Sequence, residues 1–178
     1  MSHVHPKDLY EWCRIPPEEL EAHPERRVPF RMCRDSAEMG QIMAGELVEQ
    51  IKSFNEQGEE FRAIIPCGPS CWYAPFTQLI NRERVSLKNV VVFHMDECLD
   101  WQGRQLPRNH PQCFSAELDR LFYDPVDEDL AVPEENRMRL RPDNIEEIRK
   151  AVAAKPIHLT YGGWGQDGHI AYNQACRH

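Results

Sequence analysis

Three side chains in this 178-residue sequence have types and spacing suited to proton transfer: Asp96, Asp167 and His169. Asp167 and His169 stand two apart within Gly162-Gly163-Trp164-Gly165-Gln166-Asp167-Gly168-His169-Ile170-Ala171-Tyr172-Asn173. A carboxylate and an imidazole can therefore point into one crevice. The four glycines, at 162, 163, 165 and 168, let the backbone turn sharply and approach a ligand closely. Asp96 lies in a second acidic cluster, Met95-Asp96-Glu97. A placed carboxylate can move a proton next to a carbonyl, and an imidazole titrates near neutrality. Each group also has a plainer reading. An Asp-Gly pair is common turn chemistry, and acids that follow a strand often cap the next helix. Here Cys98 to Pro111 shows no helical period, so the spacing does not call for a cap after Glu97.

The elements that must position these groups are legible from apolar periodicity. Phe61–Pro66, Asn89–His94 and Ile157–Tyr161 are short apolar runs that read as buried strands. Both acidic clusters follow such strands directly. Two strands separated by a helix imply a right-handed crossover and a parallel sheet. Asp96 and the 162–173 stretch should then meet at the carboxyl edge, where α/β folds place their chemistry. Helices are expected from Asp35 to about Asn55, from Cys71 to Asn81, from Phe114 to Phe122 and from Asp143. The first has a capping-box-like Asp35/Glu38 start, with Met39, Ile42, Met43, Leu47 and Ile51 as a core stripe and Gly58 as its cap. Cys67-Gly68-Pro69-Ser70 between strand and helix has the geometry of an anion-binding turn, although Pro69 lacks an N–H. Residues 124–142 read as turns, and no internal repeat occurs.

Composition narrows the class. One domain of α/β type is expected, with 41% hydrophobic and 28% charged residues and a net charge of -8. That charge, with scattered basic residues, argues against nonspecific nucleic-acid binding. No apolar run reaches the length of a membrane span, and the first twenty residues lack a signal-peptide core. Seven cysteines without paired CxxC spacing suggest reduced thiols in a cytoplasm and no metal centre. Residues 1–30, rich in proline and charge, read as an extension in which Leu9, Trp12 and Ile15 could anchor a helical turn. Residues 31–178 form the domain.

Phe93-His94-Met95-Asp96-Glu97 together with the 162–173 stretch resembles the glucosamine-6-phosphate deaminase/isomerase family. Val85-Ser86-Leu87-Lys88 and His110-Pro111 support the likeness, which covers roughly residues 28 to 178. The 6-phosphogluconolactonases form a sister family with the same Asp-Gly-His triplet. The resemblance implies a three-layer, Rossmann-like, mostly parallel sheet and an enzyme that converts an amino-sugar 6-phosphate to a ketose phosphate and ammonia. Asp96 would carry the proton between C2 and C1. His169 would open the sugar ring, with Asp167 in the same cluster. Gly68 and Ser70 would hold the phosphate, with Glu97 and Gly165 as further substrate contacts. No cofactor is implied, and homo-oligomers are a family habit.

The sequence departs from the family pattern in three places. Gln174 stands where a glutamate partners the histidine, and glutamine hydrogen-bonds but does not titrate. Cys67 and Pro69 replace the usual threonine and glycine of the phosphate loop. The chain also stops nine residues after His169, so it is expected to be part of a longer protein, since an apolar sheet edge would otherwise stay unpaired. A lactonase-like hydrolase and a non-catalytic sugar-phosphate sensor are the alternative readings.

Overall fold

The computed structural model describes residues 5–165 and 169. Backbone contacts divide the chain into two units, Met1–Ser36 and Ala37–His178. In the first, α1 (Pro6–Trp12) and α2 (Pro17–Leu20) are short, and the Arg14 guanidinium lies 5.1 Å from the centre of the Tyr10 ring. Prolines open both helices, where the missing N–H costs nothing. Trp12, expected as an anchor, is 47% exposed.

The remaining chain alternates helix and strand: α3 (Ser36–Gln57), β1 (Phe61–Ile65), α4 (Tyr73–Glu83), β2 (Val90–His94), α5 (Phe114–Leu118), β3 (Arg137–Met138), α6 (Ile145–Ala154) and β4 (Leu159–Thr160). The sheet order is β3-β2-β1-β4, and every pairing is parallel. Phe61 faces Val90 and Ile65 faces His94 across β1 and β2. From β1 the chain moves outward to β2 and β3, then returns to set β4 on the other side of β1. That reversal is a topological switch point, and a crevice opens there at the strands' carboxyl ends.

Both faces of the sheet are covered, which is why β2 is apolar from Val90 to Phe93. Val90 and Val92 join the larger core with Leu47, Ile51, Phe76 and Phe122, while Val91 and Phe93 pack on the other face with Ile148. The doubly covered parallel sheet is the α/β architecture expected from the sequence. α3 ends in a left-handed cap at Gly58 (φ 68°), with Glu59 N–H donating to Phe54 O at 2.9 Å and Gly58 N–H to Asn55 O at 3.1 Å. Gly40 lies within α3 because the backbone entering α4 passes against it; a Cβ there would sit 2.2 Å from Cys71 O.

Three expectations need correction. The helix expected over 114–122 is α-helical only to Leu118 and continues as a π-helical turn, Asp119–Tyr123, with Asp124 N–H bonded to Asp119 O at 2.8 Å. The wider turn buries Asp119, Phe122 and Tyr123 together, and Phe122 stacks on Phe76 with ring centres 5.3 Å apart. β3 was read as turn, because a two-residue edge strand carries no period to detect. β4 spans two residues instead of five. Its flanks still bond to β1, through His158 N–H to Arg62 O and Tyr161 N–H to Ile64 O. Arg62, inside an apolar strand, is 4% exposed. Its Nη2 donates to Ala151 O at the end of α6, and its guanidinium lies over the Phe93 ring. Among the described residues no helix is long and apolar enough to cross a membrane.

Candidate active site

A crevice of about 720 Å³ occupies the switch point. Its walls are the chain segments that leave three strands: Pro66–Pro69 after β1, Met95 and Asp96 after β2, and Gly162–Gly165 after β4. His169, Met39 from α3 and Phe114 from α5 complete the lining. Parallel strands deliver these loops to one edge, so residues nearly a hundred positions apart share a single cavity.

Glycines let the walls come together. A Cβ on Gly163 would approach Gly68 O to 3.0 Å, so the loops after β1 and β4 pass at backbone contact. Gly165 serves the histidine directly. Its N–H donates to His169 O at 2.9 Å, and a Cβ there would lie 2.3 Å from the imidazole Nδ1. The ring thus lies against bare backbone.

Asp96 is half-buried and accepts a hydrogen bond from the Cys67 N–H, while its Oδ1 is buried with no partner among the described residues. Burial raises its pKa above the usual carboxylate range; the Cys67 N–H opposes that rise and the Glu97 charge adds to it. A carboxylate held in this way is a stronger base than a solvated one. The Cys67 thiol lines the same wall. Burial first, and then the charges of Glu117, Asp96 and Glu97, push its pKa up to about 12, so it stays protonated at neutral pH. Tyr73 donates its hydroxyl to Pro66 O and ties the loop to α4.

Of the expected site residues, Asp96, His169, Gly68 and Gly165 line the crevice. Asp167 and Gln174 lie outside the described residues. Ser70 is exposed and is not part of the lining; its carbonyl accepts from Tyr73 N–H at the start of α4. Glu97 is also away from the lining, and its carboxylate is engaged elsewhere. It accepts from the N–H groups of Cys98, Phe114 and Ser115 at 3.0, 2.7 and 2.8 Å, and from the Ser115 hydroxyl. It therefore does cap a helix, α5, but one that begins 17 positions downstream, so no local period announces it. His94 is buried with its Nε2 3.1 Å from the Tyr123 hydroxyl.

Sequence reasoning assigned Met39 to a core stripe and gave no role to Met95, Phe114 or Trp164, all of which line the crevice. Trp164 stands at the mouth, 79% exposed. Exposed tryptophan inside a glycine-rich loop was the available signal for it.

No protein-family model matches the chain. Curated proteins do. Glucosamine-6-phosphate deaminase of Cronobacter sakazakii is 35% identical over 147 residues, 77% of this chain and 52% of that protein. The deaminase of Yersinia enterocolitica is 34% identical over 159 residues, 84% of this chain and 55% of that protein. The chain spans about half the length of the curated relatives it matches. Among solved structures, a monomeric glucosamine-6-phosphate deaminase described as a missing link of the NagB superfamily superposes with a TM-score of 0.59 at 19% identity, over 79% of this chain and 56% of that one. The 6-phosphogluconolactonase of Trypanosoma cruzi gives 0.52 at 16%, over 78% and 59%. At such identities the two structures speak for the fold alone. By sequence the chain is a relative of the glucosamine-6-phosphate deaminases, matching about half of their length, on a fold they share with 6-phosphogluconolactonase.

Proposed function

We propose that the full-length protein isomerises and deaminates an amino-sugar 6-phosphate of the glucosamine type, releasing ammonia and a ketose phosphate. The observation that carries this is Asp96, whose base-strengthened carboxylate, with a buried oxygen that has no partner among the described residues, shares a crevice with His169. The activity for which the curated relatives are named supports the same substrate class.

In this reading His169 exchanges a proton with the ring oxygen as the sugar opens. Asp96 then takes the C2 proton of the open aldose and returns it to C1, while a proton of the amine passes to the C1 oxygen, leaving a C2 imine. Water adds to that carbon, the C–N bond breaks, and the nitrogen departs as ammonia. Backbone at Gly68 and Gly162–Gly163 faces the phosphate, since no Lys or Arg lines the crevice among the described residues. The protonated Cys67 thiol supplies a weak donor on that wall. Asp167 and Gln174 join the cluster on the strength of sequence alone, and Ser70 contributes at most through its position beside the loop. Residues 31–178 carry this domain, residues 1–30 form an extension, and the setting is a reducing cytoplasm.

The test is to measure ammonia and ketose-phosphate release from glucosamine 6-phosphate by the full-length protein. Turnover that disappears in His169→Asn and Asp96→Asn supports the assignment. Full turnover in Asp96→Asn would remove Asp96 as the base.

A further inference from the structure

A second cleft, of about 680 Å³, has a separate set of lining residues and no part in the chemistry above. Gln105–Arg108, Ser115, Asp119, Glu134, Arg139 and Arg141 line it. Three guanidiniums therefore face two carboxylates, in a protein of net charge -8. Asp119 is only 7% exposed and is gripped by Arg139 Nη2 at 2.7 Å and Arg108 Nη2 at 2.5 Å. Arg139 also binds Glu134, yet its Nε is buried and donates to no group among the described residues. Arg108 and Arg141 keep 66% and 46% of their side chains exposed. Arg141 Nε also donates to Asp143, outside the lining, at 3.0 Å, so each guanidinium has a carboxylate partner. The donors left for a ligand are the buried Arg139 Nε–H and the exposed N–H groups of Arg108 and Arg141. Planar guanidiniums match oxyanions well.

The cleft also shares a wall with the crevice. Ser115 lines the cleft, and its N–H and hydroxyl bind Glu97, next to Asp96. Its neighbour Phe114 lines the crevice. The π-helical turn begins at Asp119, and such turns recur at functional positions. Farther along it, Tyr123 lies under the Arg139 guanidinium at 5.4 Å and meets His94, the last residue of β2 before Met95 and Asp96.

We propose that this cleft binds a small phosphate-class oxyanion through Arg108, Arg139 and Arg141, and that its occupancy tightens α5 and so the crevice wall. Neither the site nor its test depends on the reaction assigned to the crevice. The experiment is hydrogen exchange by mass spectrometry on the full-length protein, with inorganic phosphate against chloride at equal ionic strength, alongside titration calorimetry. Phosphate is expected to slow exchange across 105–119 and 134–141, including the Phe114 and Ser115 amides held by Glu97. Arg108→Ala and Arg141→Ala, both at largely exposed side chains, should weaken phosphate by about tenfold each. Gly68→Leu, which fills the crevice from a position with open space around its Cβ, should leave this binding intact. Absence of phosphate binding, affinity unchanged in both arginine variants, or protection confined to residues 66–69 and 162–165 would overturn the site. Protection that stops short of 113–115 would overturn its link to the crevice.

Discussion

Asp96→Asn should make the protein more stable while it removes the proposed base. The folded state holds an ionised carboxylate whose Oδ1 is buried without a partner among the described residues. A buried acceptor left unsatisfied costs about 1–3 kcal/mol, and more when charged. The carboxyl as a whole is only half-buried, so solvent screening holds the effect near the lower end, about 1 kcal/mol. Asparagine keeps an acceptor for the Cys67 N–H and carries no charge. The pH dependence follows from the direction of the shift. Folding raises the Asp96 pKa, so protonation favours the fold; that contribution is complete below the unfolded value and is lost as pH rises through the folded one. The gain from Asp96→Asn should therefore be about 1 kcal/mol at about pH 8 and should close toward about pH 4. Urea unfolding of both full-length proteins at the two pH values measures it. Turnover should fall by about a thousandfold in the same variant. An Asn variant no more stable at the higher pH, or a gap that widens on acidification, would refute the account of Asp96 as a strained buried base.

Gly165→Ala places a methyl group 2.3 Å from the His169 ring. The imidazole must move, and kcat/KM should drop by about a hundredfold with little change in unfolding midpoint. Gly40→Ala puts its Cβ 2.2 Å from the Cys71 carbonyl, and a rigid backbone neighbour cannot yield cheaply. Urea unfolding should show a loss of about 3 kcal/mol; a loss below about 1 kcal/mol would mean that α3 and α4 separate easily. Cys67, held protonated by a pKa of about 12, should react with iodoacetamide far more slowly at neutral pH than the exposed Cys13. Mass spectrometry of partly alkylated protein reads the two sites apart, and equal labelling would contradict the burial of Cys67.

The positions that carry period or composition were legible in the sequence. β1 and β2 announce themselves because strands covered on both faces are apolar at most positions, Arg62 and His94 excepted, and α3 does so because one face repeats at helical spacing. The parallel order of those strands places Asp96 and the glycine-rich loop at one edge, so the crevice could be expected before any coordinate was known. Tertiary structure decided what no local pattern encodes. β3 is two residues held by the edge of β2. The π-helical turn exists because Asp119, Phe122 and Tyr123 must all face inward, and a 3.6-residue period is silent on that choice. Glu97, beside Asp96 in sequence, is bound to α5 instead of facing the crevice, because the first turn of that helix needs an acceptor and the fold brings it there. Met39 was assigned to a helix stripe correctly in direction, yet where the stripe meets solvent it lines a cavity. Sequence determines which residues are able to do chemistry; which of them share a cavity is settled by where parallel strands end.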